Sequence, residues 1–304
     1  MSQSNNIQDA IHGVAVDAGS GLQALIKEAR GSRAGADDFV TFKKSVMQVL
    51  GQGASTVLVD AATGPDLIPH YPAGCDPMLA FEADVYHFAE GDKITLLPDN
   101  LAITDYARLG VKQLKFFMYY APDDDVELNQ KKQKVVESVG KLCQEHNLVY
   151  LMEPLVYHPT LKPGSKEYAL LKPDLVRRAT EEFAQPRYHA DVLKVEVPVD
   201  LDFVEGFGEA VMSQTEALDA FRRAAEPAKN HQLVYLSAGV PFERFEASLK
   251  MARTAGVDFN GFMCGRALWS DAVDIYGEHG DTKLRSWLEE TGRTRLDRLI
   301  AALR

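Results

Sequence analysis

The sequence predicts an α/β fold, a (β/α)8 TIM barrel, as one domain over residues 1–304. Short apolar, strand-like runs alternate with amphipathic helical segments, and eight such runs in about 250 residues is the arithmetic of that barrel. Polar or charged residues close most of the runs, where barrel enzymes place their chemistry. A doubly wound sheet would instead call for a Gly-rich fingerprint after an early strand. Asp17-Ala18-Gly19-Ser20-Gly21 lacks the third glycine of that fingerprint.

The first run is residues 13–17 (GVAVD), followed by a turn at 18–21. A helix is expected over 36–51, because Phe39, Phe42, Val46, Val49 and Leu50 recur at helical spacing. Asp37 and Asp38 suit its N-terminal dipole. The second run, 56–60 (TVLVD), ends in Asp60 before a loop at 61–65, and the third is 78–82 (MLAFE). Residues 97–110 read as a loop and helix opened by Pro98-Asp99 and closed by Gly110. The fourth run is 112–120. A polar helix follows over 124–146, with Leu128, Val135, Val139 and Leu142 expected on its buried side. The fifth run is 148–154; a long loop with Pro159 and Pro163 leads to a helix at 173–184. The sixth is 191–198 (DVLKVEVP), the seventh 233–237 and the eighth 260–266. Residues 281–304 form an amphipathic helix pair, with Leu284, Trp287 and Leu288, then Leu296, Leu299 and Ile300, closing the outer ring.

Composition narrows the function. The chain is 46% hydrophobic and 25% charged, as ordinary globular proteins are. No apolar run approaches the roughly 18 residues of a membrane span, and the start MSQSNNIQDAIHG lacks a signal-peptide pattern. Cys75, Cys143 and Cys264 are odd in number and widely spaced, so a reducing cytoplasm is the expected setting. A net charge of −11 argues against nucleic-acid and anionic-membrane partners, while a local cluster of cations could still hold an anionic small molecule. The eight histidines, His12, His70, His87, His146, His158, His189, His231 and His279, stand singly, so neither a metal nor another cofactor is expected.

The sixth run carries the sharpest chemical signal. Side chains alternate along a strand, so Leu193, Val195 and Val197 share one face, and Val192, Lys194 and Glu196 the other. A buried lysine is costly unless it is paired or has a chemical role, such as attack on a carbonyl to form a Schiff base. A Lys194–Glu196 neighbour pair is the alternative. On the fourth run Lys115 can point inward with Gln113 and Phe117; on the fifth, Glu153 shares a face with Val149 and Leu151. These three residues suit amine catalysis: Lys194 as nucleophile, Lys115 as a cation lowering its pKa, Glu153 as general acid and base. A structural Lys115–Glu153 ion pair is the competing reading. Asp17 and Asp60 close the first two runs and are expected to face the substrate. Ser237-Ala238-Gly239 and Cys264-Gly265-Arg266 resemble the paired loops that hold phosphate in many barrels, with Arg266 adding a charge-assisted contact. Cys264 could be a reactive thiol, but packing is favoured.

Several segments in order resemble the tagatose-1,6-bisphosphate aldolase family of class I aldolases, with sulfofructosephosphate aldolases as more distant relatives. They are LPD at 97–99, KFFMYY at 115–120, DVLKVEVPV at 191–199, FVEGF at 203–207, YLSAGV at 235–240 and FNGFMCGRA at 259–267. The resemblance implies a metal-independent barrel enzyme that cleaves a ketose phosphate into dihydroxyacetone phosphate and an aldehyde. By their place in these motifs, Lys194 matches the Schiff-base lysine, Lys115 the accessory lysine and Glu153 the acid/base glutamate. Ser237, Gly239, Gly265 and Arg266 match positions that hold phosphate. Where the family usually reads Asp-Gln-Arg, this chain has Asp17-Ala18-Gly19, so an aldehyde half other than glyceraldehyde 3-phosphate is expected. A catalytically silent sugar-phosphate sensor and an isomerase using Glu153 are the competing functions; both leave Lys194 without a role. A homo-oligomer is expected, and an exposed outer helix such as 284–300 could pair with another subunit.

Overall fold

Eight parallel strands close a barrel in sequence order in this computed structural model, which describes residues 10–84 and 92–304. They are β1 Ile11–Ala15, β2 Thr56–Val59, β3 Asp76–Ala80, β4 Gln113–Tyr120, β5 Val149–Val156, β6 Val192–Glu196, β7 Gln232–Leu236 and β8 Gly261–Cys264. The seam pairs β1 with β8 from Ile11↔Gly261 to Val14↔Cys264. The helices are α1 Ser20–Arg30, α2 Asp38–Leu50, α3 Gly64–Leu67, α4 Asp105–Leu109, α5 Val126–Glu145, α6 Lys166–Phe183, α7 Gln214–Ala225, α8 Phe242–Thr254, α9 Arg266–Trp269, α10 Ala272–His279, α11 Asp281–Trp287 and α12 Arg293–Ala301. No helix among the described residues is long and apolar enough to cross a membrane.

Strand alternation sorts the core into two layers. Leu193, Val195 and Val197 face outward into the layer shared with the helices. Val192 faces inward, packed with Ile11, Leu58, Met78, Leu151, Val234 and Met263. This parity puts Lys194 inside the barrel. At the seam, the buried Trp269 packs edge-on to Phe42 at 5.7 Å between ring centroids and donates from Nε1 to the Ala15 carbonyl at 2.9 Å. The β8 end is thereby tied to the β1 end.

The structure corrects three local expectations. The Ala18–Gly21 stretch is not only a turn: α1 starts at Ser20 and buries Leu22 and Ile26, one helical turn apart. On α5 the buried face is Asn129, Lys132, Val136, Val139 and Cys143, while Leu128, Val135 and Leu142 are only half-buried. Asn129 donates to the Ala121 carbonyl at 2.9 Å and Lys132 to the Tyr157 hydroxyl at 2.7 Å, so polar residues lead inward. Helix α6 begins at Lys166, two turns before 173, capped by Ser165, whose Oγ accepts from the Tyr168 N–H at 3.2 Å. Pro173 lies inside it and forfeits one backbone hydrogen bond, offset by the burial of Leu175, Val176, Ala179 and Phe183. The C-terminal helix pair is as expected: α11 and α12 join through a π-helical turn, Leu288–Gly292, and bury Leu284, Leu288, Leu296 and Leu299. The exposed residues of 281–301 are polar or, at Ala301, small, while Trp287 and Ile300 are half-buried.

Candidate active site

Strand register assembles a charged cluster inside the barrel mouth. The pairing Ala80↔Lys115 sets β4 beside β3, and Leu151↔Val192 with Met152↔Leu193 brings Lys194 up to Glu153. Lys115 is 1% exposed and Lys194 4%. The Lys115 ammonium lies 2.5 Å from Glu82 Oε1, 2.9 Å from Glu153 Oε2 and 3.0 Å from Asp17 Oδ2. The Lys194 ammonium lies 3.0 Å from the other Glu153 oxygen, Oε1. One carboxylate therefore bridges two lysines.

The electrostatics follow from burial and this pairing. Burial works against the Lys115 charge, yet Glu153, Glu82 and Asp17 together hold its pKa well above the ordinary lysine range. Burial would raise Asp17, but Lys115, Lys194 and Lys43 pull it down to about 2. At Glu82 burial wins over Lys115 and pushes the carboxyl up to about 7. This corrects the expected role of Lys115. It is not a bare cation beside Lys194: three carboxylates surround it and Glu153 stands between the two amines.

Glu82 gives a measurable consequence. Its carboxyl binds a proton more tightly in the fold than its ordinary value of 4.5 allows in the unfolded chain. Between about pH 4.5 and 7 the folded state holds a proton the unfolded chain has released, so stability falls as pH rises through that window. Glu82→Gln mimics the protonated form and is expected to stabilise the protein by about 2–3 kcal/mol at pH 8 and little at pH 5. Urea unfolding at the two pH values checks this; an equal effect at both would contradict it.

A cavity of about 390 Å³ opens over the cluster, reaching Asp17, Lys115, Glu153 and Lys194 on one side and the β7 and β8 loops on the other. That volume is in the usual range for small-molecule sites. In the β7 loop Ala238 (φ 49°) and Gly239 (φ 79°) are consecutive left-handed residues. A non-glycine residue held there costs on the order of 1 kcal/mol, the kind of strain that gathers at ligand sites. The Arg266 guanidinium lies flat against Gly239, where a Cβ would come within 2.7 Å of Cζ. The Arg266 side chain makes no hydrogen bond or ion pair among the described residues. It opens α9 rather than closing β8. At Gly265 a Cβ would meet the Ala15 carbonyl oxygen at 2.4 Å, so only glycine lets β8 pass β1 so closely. Ser237 is buried and lines the same cavity.

Asp60 does not join this group. Its carboxylate pairs with the buried Lys43 of α2 and accepts from Thr63 Oγ1 at 2.6 Å and from the Ala62 and Thr63 N–H groups at 3.0 Å. Its hydrogen-bonding capacity is spent on the β2 loop, and it lines a separate crevice behind α1. The Cys264 thiol is buried and its pKa raised by desolvation, in keeping with packing rather than reactivity. Among the described residues no group of three or more His, Cys, Asp or Glu side chains is placed to hold a metal ion. His87 lies outside the described residues. Sequence reasoning did not assign Glu82 or Lys43, although Glu82 stood at a strand end. It also missed Tyr119 and Leu25, which line the cavity.

A DeoC/LacD family aldolase model matches residues 12–271. The tagatose 1,6-diphosphate aldolase of Listeria monocytogenes serotype 4b (strain CLIP80459) is 34% identical over 306 residues, covering 99% of this chain and 90% of that protein. The enzyme of the same name from Staphylococcus aureus (strain MSSA476) is 35% identical over 310 residues, covering 100% and 94%. Among solved structures, the fructose-bisphosphate aldolase of Plasmodium falciparum superposes with a TM-score of 0.70 at 14% identity, covering 96% of this chain and 89% of that one. An archaeal fructose-1,6-bisphosphate aldolase, its catalytic lysine covalently bound to the carbinolamine intermediate, gives 0.60 at 13% identity, covering 94% and 92%. These two share the barrel fold. Together with the geometry above, the family match and the two full-length relatives establish that the chain belongs to the DeoC/LacD family of aldolases.

Proposed function

We propose that this aldolase is a class I enzyme that cleaves a ketose phosphate into dihydroxyacetone phosphate and an aldehyde through a Schiff base on Lys194. The observation that carries the reading is the Glu153 carboxylate, held between Lys194 and Lys115 at the floor of an open cavity. The relatives named for tagatose 1,6-diphosphate, and the neighbour with a carbinolamine on its lysine, support it.

Lys194 passes a proton to Glu153, 3.0 Å away, and the free amine attacks the ketone carbon. Glu153 returns the proton to the carbinolamine oxygen; water leaves, and an iminium remains on Nζ. A base, Glu153 or the ionised Asp17, takes the proton of the C4 hydroxyl. The C3–C4 bond breaks, its electron pair flows into the iminium to give an enamine, and the aldehyde departs. Protonation at C3 and addition of water release dihydroxyacetone phosphate and restore the lysine. Lys115, still charged, holds Glu153 and Asp17 in place. Backbone N–H groups around Ser237, Gly239 and Gly265, with Arg266, receive the phosphate.

Borohydride added with dihydroxyacetone phosphate is expected to fix a covalent adduct on Lys194, located by peptide mass spectrometry, and cleavage is expected to survive EDTA. No adduct, together with activity lost on chelation, would sink the reading. Arg266→Ala is expected to raise KM for the phosphorylated ketose about 10- to 100-fold with kcat changed little, since a charge-assisted contact contributes about 1.5–3 kcal/mol. Steady-state kinetics decide it. Three buried, free cysteines suit a reducing cytoplasm as the setting, and light scattering checks the expected homo-oligomer.

A further inference from the structure

We propose that the aldehyde half of the substrate is uncharged, so that the enzyme prefers ketose 1-phosphates to 1,6-bisphosphates. The proposal rests on the aldolase reading above and narrows its substrate class.

The first observation is the distribution of charge around the cavity. Its described lining contains three cations, Lys115, Lys194 and Arg266. Lys115 and Lys194 are buried against Asp17, Glu82 and Glu153. Arg266 alone of the three lacks an acidic partner among the described residues. One unengaged cation matches one phosphate. The adjoining cavity beyond Tyr119 brings Lys172 and Arg244, but these are committed to Glu196 at 3.3 Å and Asp202 at 2.7 Å. Lys93 lies against the ring of Tyr157, 4.0 Å from its centroid.

The second observation is the wall formed by α1. The residues it and its lead-in present to the cavity are Ala18, Gly21, Leu22 and Leu25. None of their side chains can donate a hydrogen bond, and Leu25 is 49% exposed at the mouth. A phosphate there would lose water and gain no partner.

The third concerns the start of α1, where backbone N–H groups could otherwise attract an anion. That position already has one. The Ser20 N–H donates to Asp84 Oδ2 at 2.7 Å, and a Cβ on Gly19 would fall 2.6 Å from the same oxygen. The crevice behind α1 carries Asp17, Asp60, Glu82 and Asp84, and its nearest cations, Lys115 and Lys43, are already paired with the first three, so the side of the site away from Arg266 offers no cation to a second phosphate.

The test runs in the condensation direction. One portion of the enzyme is treated with dihydroxyacetone phosphate and borohydride to score the adduct; on untreated enzyme, kcat/KM is compared for D-glyceraldehyde and D-glyceraldehyde 3-phosphate as acceptors. An adduct with at least a tenfold preference for the unphosphorylated aldehyde is the expected result. Leu25→Lys, at an exposed position, is expected to shift the ratio at least tenfold toward the phosphorylated aldehyde at low ionic strength. An adduct with a preference for the phosphorylated aldehyde overturns the inference and leaves the aldolase reading standing. A ratio unmoved by Leu25→Lys overturns the assignment of the α1 wall. Absence of any adduct removes the Schiff-base reading, and the inference falls with it.

Discussion

Lys194→Met is expected to lower kcat/KM for ketose-phosphate cleavage by roughly 10⁴-fold or more while the protein stays folded. The expectation follows from the mechanism: without an amine there is no iminium, and the C3–C4 bond has no electron sink. Met fills a similar volume inside the barrel, so the inward layer of Val192, Val234 and Met263 keeps its packing. The substitution removes one partner of Glu153 but leaves Lys115 at 2.9 Å, so the carboxylate is not stranded. Two measurements separate chemistry from folding. Borohydride trapping must disappear, and stabilisation by added dihydroxyacetone phosphate in a thermal melt must persist, because Arg266 and the β7 loop are untouched. Residual cleavage within tenfold of the unaltered enzyme would assign the amine elsewhere.

Lys115→Met is expected to do different damage. Here the lost charge faces Asp17, Glu82 and Glu153, all buried or nearly so. Removing the cation leaves carboxylates crowded in a low-dielectric interior, a change that typically costs about 3–5 kcal/mol. The protein can relieve part of that cost by taking up protons, so stability should improve as pH falls from 8 toward 5.5, the reverse of ordinary acid destabilisation. Activity should fall at every pH, because Glu153 and Asp17 lose the cation that holds them in place. Urea unfolding across that range is the check; a stability loss below 1 kcal/mol at pH 8 would show that Lys115 does not hold the cluster.

The barrel and the lysine were legible because strand parity is a short-range rule. Val192-Leu193-Lys194-Val195 alternates cleanly, and parity alone placed Lys194, Lys115 and Glu153 inward. What could not be read was which charges meet. Glu82 and Lys115 are separated by 33 positions, and Lys43 reads as a solvent-facing helix lysine until the fold brings Asp60 to it. So Lys115 was expected to depress a neighbouring amine, when three carboxylates in fact surround it, and Asp60 was expected at the substrate. Helix boundaries failed for local reasons. Gly19 and Gly21 disguised the start of α1, and Pro173 looked like an N-terminus although Ser165 caps α6 eight residues earlier. A capping box at Ser213 and Glu216 announces α7 in the sequence and went unused.

The Glu153 carboxylate, bridging the two lysines, is more than a salt link. An iminium on Lys194 carries the same single positive charge as the resting ammonium. The field that Glu153 and Asp17 exert on the Lys194 Nζ is therefore already appropriate to the covalent intermediate before any substrate arrives. Little reorientation of dipoles is required as the reaction proceeds, and the energy of arranging them is spent during folding. The buried, over-subscribed charges that make this barrel costly to fold are the ones that keep its reorganisation energy low.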